Sequence, residues 1–481
     1  MTDFEVIVIG SGAAGLCAAV TAVEAGAASV LVVDAEAVVG GSSRLSGGVI
    51  MGSGSSLQRA AGIEDNPVDL VHEYLSLNGW DVARGPVERW ALRTGETIDW
   101  LAAHDVPFFD RLIFGGDERK ARSHCVDGGG QALIGALQSA ARSAGVEFAL
   151  GQRVERLVQG DHGGVVGVQA GLETLTAAAV IVATGGFGAN DDLLAKYFPS
   201  AYEPGWSWYI GADSSRGDHF GFADAIGAQV TGFDRGLRTL DPGLARLNEA
   251  FLPGWAVLVG TDGRRMVDET APYGLMDQVL RAHGDRGYVV FDDAALRPPA
   301  ELTSRYRDSY KQVWPNHPPF RTKNYNADVI DAHLAEGGRK VHRADTVGGL
   351  ERAIGMTEGV LAGEIGRYNG FASAGSDDDH GKAGKFLLPL TTAPYYAVEV
   401  RALTVNLTAC GLRIDDRARV VGADGQPIAG LYAAGECTGG IIKTYIGSGN
   451  SLANACGFGR IAGDEAARRS TNMRRSQEVR T

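Results

Sequence analysis

The stretch FEVIVIGSGAAGLCAAVTAVEAGAASVLVVD, residues 4–34, decides the fold. Val6 to Ile9 is an apolar run short enough for a buried parallel strand. Ser29 to Val33 reads as a second strand, closed by Asp34. Between them Gly10, Gly12 and Gly15 keep the G-x-G-x-x-G spacing, and small residues from about Ala13 to Ala25 predict a helix. Each position has a physical job. Gly10 permits the tight turn, Gly12 lets the backbone approach a pyrophosphate, and Gly15 lets helix and strand pack closely. The helix start, with Ala13 and Ala14, offers free N–H groups and a positive dipole end to phosphate. Asp34, followed by Ala35, is placed to accept hydrogen bonds from a ribose. Strand, helix, second strand and terminal acid together specify a dinucleotide-binding unit.

Composition sets the outer limits. A chain of 481 residues is too long for one simple core, so two domains are expected. Hydrophobic content of 44% with 21% charged residues is that of an ordinary globular protein. The 68 glycines cluster in short turns between apolar runs, as backbone near a ligand requires. A net charge of −13 argues against nucleic acid or an anionic membrane surface as partner. No apolar run is long enough to span a membrane, and the chain enters a strand at once, so no signal peptide is expected. Cys17, Cys125, Cys410, Cys437 and Cys456 form no C-x-x-C pair, which points to reduced, buried thiols and a cytoplasmic protein. The 10 histidines lie in no ligand spacing, so no metal is expected.

Outward from the first unit, Gly40 to Gly48 (GGSSRLSGG) has no apolar period and suits a loop lying against a flat ligand, with Gly41, Ser42, Ser43, Ser46, Gly47 and Gly48 as contacts. Helices are predicted between Pro67 and His104 and from Ala132 to Ala144. A meander follows over Val154–Leu157, Val165–Ala170 and Glu173–Ala179, with Val154 counted among the cofactor contacts. It exits through Val180-Ile181-Val182 into Ala183-Thr184-Gly185, and a matching strand, Ile428 to Ala434, delivers Gly435 and Glu436 to the same face. Residues 447–454 open a last helix that is expected to end near Ala467. Between the halves the glycine turns thin out and Pro, Arg and Tyr increase, as in Arg297-Pro298-Pro299 and Asn316-His317-Pro318-Pro319. The expected organisation is therefore a nucleotide domain in two parts, 1–232 and 389–467, an inserted domain at 233–388, and a frayed basic tail at 468–481.

These motifs, with the Gly217-Asp218 step, GRRMVDE and GSGNSLANACGFGRIAG, occur in the order seen in flavoproteins of the fumarate reductase and succinate dehydrogenase superfamily, and the chain most resembles its 3-ketosteroid dehydrogenase branch. The resemblance implies an α/β fold: a split Rossmann-like FAD-binding domain of the glutathione-reductase type, with an inserted α+β capping domain that carries substrate contacts. It implies FAD, held non-covalently because no His stands in the GGSSRLSGG loop. It places adenosine ribose at Asp34, a further contact at Asp218, the ribityl region at Glu436, and the flavin pyrimidine edge at Asn450, Ser451 and Leu452. A helix N-terminus there stabilises negative charge on the reduced ring.

Three departures separate the chain from dicarboxylate reductases of the superfamily. Asn406 to Leu412 lacks the two His of such relatives, Tyr273 stands where they carry an Arg, and Thr444 to Gly449 lacks a third Arg. In the ketosteroid branch, Ala271-Pro272-Tyr273 and the Tyr445…Gly449 spacing have counterparts. By that resemblance Tyr445 hydroxyl and Gly449 N–H would hold a ketone oxygen and its developing enolate charge. Tyr273 would remove the α-proton, given a lowered pKa, while the β-hydride passes to flavin N5. Phe114, Arg122, His124 and Ser448 are weaker substrate candidates. Arg122 and His124 bind a substrate carboxylate or form a surface or flavin-loop pair, and the aromatic run Trp206 to Tyr209 lines the pocket or packs. The expectation is a desaturase of a 3-oxosteroid or a small ring ketone such as 4-oxocyclohexanecarboxylate, using an unidentified electron acceptor. The alternatives are a flavin ene-reductase and a non-catalytic flavin redox sensor.

Overall fold

The computed structural model describes residues 2–116, 118–240, 242–245, 251–307 and 324–478. The Pro-rich stretch Asn316 to Pro319 lies outside them. The chain divides into two compact units, one of residues 1–202, 211–237 and 406–481, the other of residues 203–210 and 238–405.

The first unit is built on β1 (Phe4–Ile9). Val6, Ile7 and Val8 have no exposed surface, so both faces of this strand are covered, as a run without polar alternation requires. The chain returns through α1 (Ala13–Glu24) to β2 (Val30–Asp34), which pairs parallel with β1, Val8 opposite Val32. Beyond β2 lies β3 (Glu147–Leu150), also parallel. On the other side, β4 (Arg156–Gln159) and β5 (Val165–Ala170) form an antiparallel meander with the start of β6 (Glu173–Val182). The second half of β6 joins β1 in parallel, and the sheet ends with β7 (Arg419–Val421) and β8 (Pro427–Ala433), in the order β7-β8-β6-β1-β2-β3. Strands β1, β2, β6 and β8 thus end together at Ile9, Asp34, Val182 and Ala433, the edge where parallel α/β sheets bind ligands.

Helix α2 (Asn450–Glu478) packs along α1 with almost no side chain between them. A methyl group on Gly463 would stand 2.3 Å from the Ala18 carbonyl oxygen, so only hydrogen fits there. The helix does not fray after Ala467 as expected. Arg469 Nε donates to the Ala178 carbonyl, Ser470 Oγ to Glu5, and Arg474 to the Gly26 carbonyl, which tie the basic tail to the sheet and α1. The expected loop at Gly40 to Gly48 contains a short helical turn, Gly41–Leu45.

The second unit is a four-stranded antiparallel sheet in the order Val257–Gly260, Gly287–Asp292, Tyr395–Val400, Val341–Ala344. Alternate residues face opposite ways. Leu258, Val289, Phe291 and Val398 join Met276, Leu280 and Ile330 from the helices Tyr273–Ala282 and Ala327–Ala335. Val257, Val259, Val290 and Ala397 join Leu350, Ile365 and Tyr368 from the helices Val347–Ile354 and Val360–Ala374. Residues 389–405, expected in the second part of the nucleotide domain, belong here, because Tyr395–Val400 pairs along both edges inside this sheet.

Candidate active site

At the β1–α1 turn a methyl group on Gly15 would lie 1.9 Å from the Gly10 carbonyl oxygen, so helix and strand pack at backbone contact. No side chain caps α1. Ala13 N–H donates to Ser43 Oγ (3.2 Å), and the N–H groups of Gly12 and Ala14 have no acceptor among the described residues. This is an anion cradle. Asp34 accepts from Ser11 N–H (2.6 Å) and Ser11 hydroxyl (2.5 Å) at one oxygen and from Glu36 N–H (2.8 Å) at the other, which fixes its carboxylate at the end of β2 beside Ala35. Ser46 Oγ donates to the Ser43 carbonyl (2.7 Å) and accepts from Gly48 N–H, so the serine turn braces itself next to Gly47. Ser42 Oγ meets Ser215 Oγ at 3.1 Å.

Ala183 leaves β6 with its N–H on the Ile9 carbonyl, and Val154 is buried. Thr184 Oγ1 is buried with no partner among the described residues, and Gly185 follows at positive φ. Asp218 is occupied by both oxygens against Arg153. Burial pushes its acid upward, with Arg153 opposing. After Gly435, Glu436 is half-buried and accepts the N–H and hydroxyl of Thr408, each at 2.9 Å; desolvation still pushes it up to about 7 against those two donors. Glu436, Gly435, Ser451 and Asn454 line one cleft with Thr408 and Ile441. At the start of α2 Asn450 is buried, and the N–H groups of Ser451 and Leu452 have no acceptor among the described residues.

Those donors and acceptors fit FAD: a bare helix start for pyrophosphate, a fixed carboxylate for ribose, Glu436 and unpartnered Thr184 Oγ1 for the ribityl side, and a second helix start for the pyrimidine edge.

The segment before α2 is held from several sides. Tyr74 hydroxyl donates to the Ile441 carbonyl (3.0 Å), and Asn78 Oδ1 accepts from the N–H groups of Lys443 and Thr444 (2.9 and 2.8 Å). Ser123 Oγ donates to the Ser448 carbonyl (2.7 Å), and Met51 N–H donates to the Gly449 carbonyl (3.1 Å). Tyr445 is 9% exposed. Gly449 has φ +97°, and a methyl group on it would lie 2.6 Å from Met51 N. Its own buried N–H has no acceptor among the described residues. Sequence reading singled out Tyr445 and Gly449 and gave no signal for the props at Tyr74, Asn78 and Ser123, which come from distant segments.

Tyr273, in the second unit, starts the helix Tyr273–Ala282, is 6% exposed, and meets Phe251 edge to face at 4.9 Å. Four residues earlier, Glu269 binds Arg265 through two bonds of 3.0 Å and Lys382 Nζ at 3.0 Å, and Arg265 also binds Asp377 at 2.9 Å. Burial pushes the Glu269 acid up, but Lys382 and Arg265 outweigh it and hold it below the usual carboxylate range. Lys382 and Asp377 gave no signal in the sequence.

Two expected substrate residues are otherwise engaged. Arg122 is 1% exposed and binds Asp65 through two bonds (2.7 and 2.9 Å) and Glu73 (2.5 Å), so its guanidinium neutralises protein carboxylates and cannot clamp a substrate's. His124 Nδ1 donates to the Arg122 carbonyl (2.9 Å) and Nε2 accepts from Ser55 hydroxyl (2.8 Å). Burial lowers its pKa to about 4, leaving a neutral, fully engaged ring. Ser448 hydroxyl donates to the Gly115 carbonyl (3.2 Å), and Phe114 is 51% exposed.

Fold and site define an FAD-dependent oxidoreductase acting on CH–CH groups. The chain belongs to the FAD binding domain family, which it matches over residues 5–452. It is 31% identical over 478 residues to a protein named Probable fumarate reductase Ifc3 from Shewanella frigidimarina (strain NCIMB 400), covering 96% of this chain and 75% of that one. Among solved structures, 3-ketosteroid-Δ4-(5α)-dehydrogenase from Rhodococcus jostii RHA1 superposes with a TM-score of 0.78 at 27% identity, over 97% of this chain and 98% of that one. The 3-ketosteroid Δ1-dehydrogenase from Sterolibacterium denitrificans superposes at 0.79 over 97% and 99%, and at 22% identity it shares the fold. Among the described residues no helix is long and apolar enough to cross a membrane.

Proposed function

We propose that the protein desaturates a ring ketone, forming a C=C bond beside the carbonyl. One observation carries the reading: the buried Gly449 N–H, fixed by the Met51 and Ser123 bonds on either side, is a donor with no acceptor among the described residues. A buried N–H of that kind is expected to find its partner in a ligand. In the proposed mechanism Gly449 N–H and Tyr445 hydroxyl hold the carbonyl oxygen and stabilise the negative charge that develops on it. Tyr273 takes the α-proton onto its phenolate oxygen. Bound FAD supplies the two-electron acceptor for the β-hydride. Water is kept from the developing enolate because Tyr445, Ile446 and Ser448 are buried. The internal pairing of Arg122 favours a neutral ketone over a carboxylate substrate. Substrates proposed for the first assay are a 3-oxosteroid, cyclohexanone and 4-oxocyclohexanecarboxylate, with an artificial electron acceptor. Formation of the enone, abolished by Tyr445→Phe in a variant that keeps its FAD, supports the reading; enone formation that ignores this substitution refutes it.

A second reading is the reverse reaction, reduction of an activated alkene. The 31% identity to a protein named as a fumarate reductase favours it. Oxidation of the reduced enzyme by an alkene, and no reduction of the oxidised enzyme by any ketone, would establish it.

A further inference from the structure

We propose that Glu118 is a positioning residue of the Tyr445–Gly449 loop: its neutral carboxyl group, wedged against Gly447, keeps that loop able to hold negative charge. The inference rests on the reading of this loop as the carbonyl site. The turn Gly115-Gly116 lies on the loop at backbone contact, since a methyl group on Gly116 would stand 2.7 Å from the Ile446 carbonyl oxygen and one on Gly115 2.6 Å from Ser448 N. Ser448 N–H donates to the Gly115 carbonyl at 3.0 Å. This contact buries Glu118, which is 5% exposed. Its Oε2 accepts from Gly116 N–H at 2.6 Å. Its Oε1 has no hydrogen-bond partner among the described residues and would stand 2.3 Å from a methyl group on Gly447.

A carboxylate buried with one oxygen unpaired costs far more than a neutral carboxylic acid in the same place. Burial pushes Glu118 up to about 7, the Gly116 N–H opposes this, and Glu73 adds to the rise. Glu73, on the helix Pro67–Leu77, is itself tied to Arg122 and to Arg119 N–H. On the strand Ser123–Cys125, His124 has both ring nitrogens engaged, and in the loop the titratable group is Tyr445. No free cation among these would compensate an ionised Glu118. Ionisation therefore places an anion two positions from Gly449, where it opposes enolate charge.

The test compares wild-type holoenzyme with Glu118→Gln, which keeps the shape and cannot ionise. All other groups are the same in both proteins, so the quantity read is the ratio of their kcat/KM values. The ratio of wild type to variant should fall as pH rises through about 7, by at most about tenfold per pH unit, to a lower plateau once Glu118 is ionised. Binding of pentafluorophenolate, an anion throughout this range, followed through the flavin spectrum, should weaken in the same way for wild type alone. The wild-type infrared spectrum should lose, with a midpoint near 7, one carboxylic-acid C=O band that is missing from Glu118→Gln, while the Glu436 band titrates in both proteins. A constant ratio, a phenolate affinity with no step, or a wild type lacking that band overturns the proposal. If no ketone is turned over by either protein the ring-ketone reading falls, while phenolate binding and the infrared titration still decide the role of Glu118.

Discussion

Replacing Gly449 by Ala tests the carbonyl loop at its tightest point. At φ +97° an L-residue is strained, by about 1–2 kcal/mol. The added methyl would also lie 2.6 Å from Met51 N and 2.8 Å from Ile50 C, backbone atoms of a paired strand that cannot rotate away. Overpacking of that kind costs about 1–3 kcal/mol. Together about 2–5 kcal/mol is relieved most readily by lifting the loop off the strand, which breaks the Met51 N–H bond to the Gly449 carbonyl and swings the Gly449 N–H out of line. Loss of one oxyanion donor lowers kcat by about 10²–10³. Gly463→Ala is the control: its methyl meets the Ala18 carbonyl oxygen at 2.3 Å, an overpacking clash at helical φ and outside the loop. The assay is the rate of enone formation beside thermal unfolding of the holoproteins. Both variants should melt earlier than wild type, and only Gly449→Ala should lose kcat. A Gly449→Ala enzyme with wild-type kcat would refute the role given to this N–H, and an equal loss of kcat in both would reduce it to general destabilisation.

Tyr273→Phe should abolish ketone oxidation and leave the flavin spectrum and melting temperature near wild type, measured by single-turnover absorbance and differential scanning fluorimetry. Lys382→Met should cost about 3–5 kcal/mol in urea unfolding, because it leaves Glu269 buried with one cation fewer. Arg122→Leu should cost a similar amount by stranding Asp65 and Glu73, with the KM for 4-oxocyclohexanecarboxylate unchanged if the protein folds; a large rise in KM would restore Arg122 as a clamp. His124 and His219 are buried, and both are lowered by burial from 6.5 to about 4. A depressed folded pKa means that the unfolded chain binds more protons, so stability is intact above about pH 6.5 and is lost as pH falls toward 4. About 3 kcal/mol per histidine should disappear over that window in urea midpoints, and a flat profile would contradict the burial argument.

What the sequence revealed was local. The β1–α1–β2 unit was legible because one buried strand, three spaced glycines and a second strand fit in residues 4–34, and their pairing follows from chain order. The exit strands at Val182 and Ala433 announced themselves by apolar runs ending in glycine. Contacts between distant segments stayed hidden. Arg122 looked like a free cation because its partners Asp65 and Glu73 lie 57 and 49 residues away. Residues 389–405 looked like the return to the nucleotide domain, yet hydrogen bonds along both edges of Tyr395–Val400 hold them in the second unit. The basic tail read as frayed because its polar residues make no apolar stripe; its bonds run to backbone carbonyls, which composition does not report.

Anaerobic mixing of the oxidised holoenzyme with ring ketones, with succinate as the contrast, tests the central claim most directly. The account predicts rapid bleaching of the flavin by at least one ketone and none by succinate. Bleaching by succinate, or by none of the ketones, would contradict it.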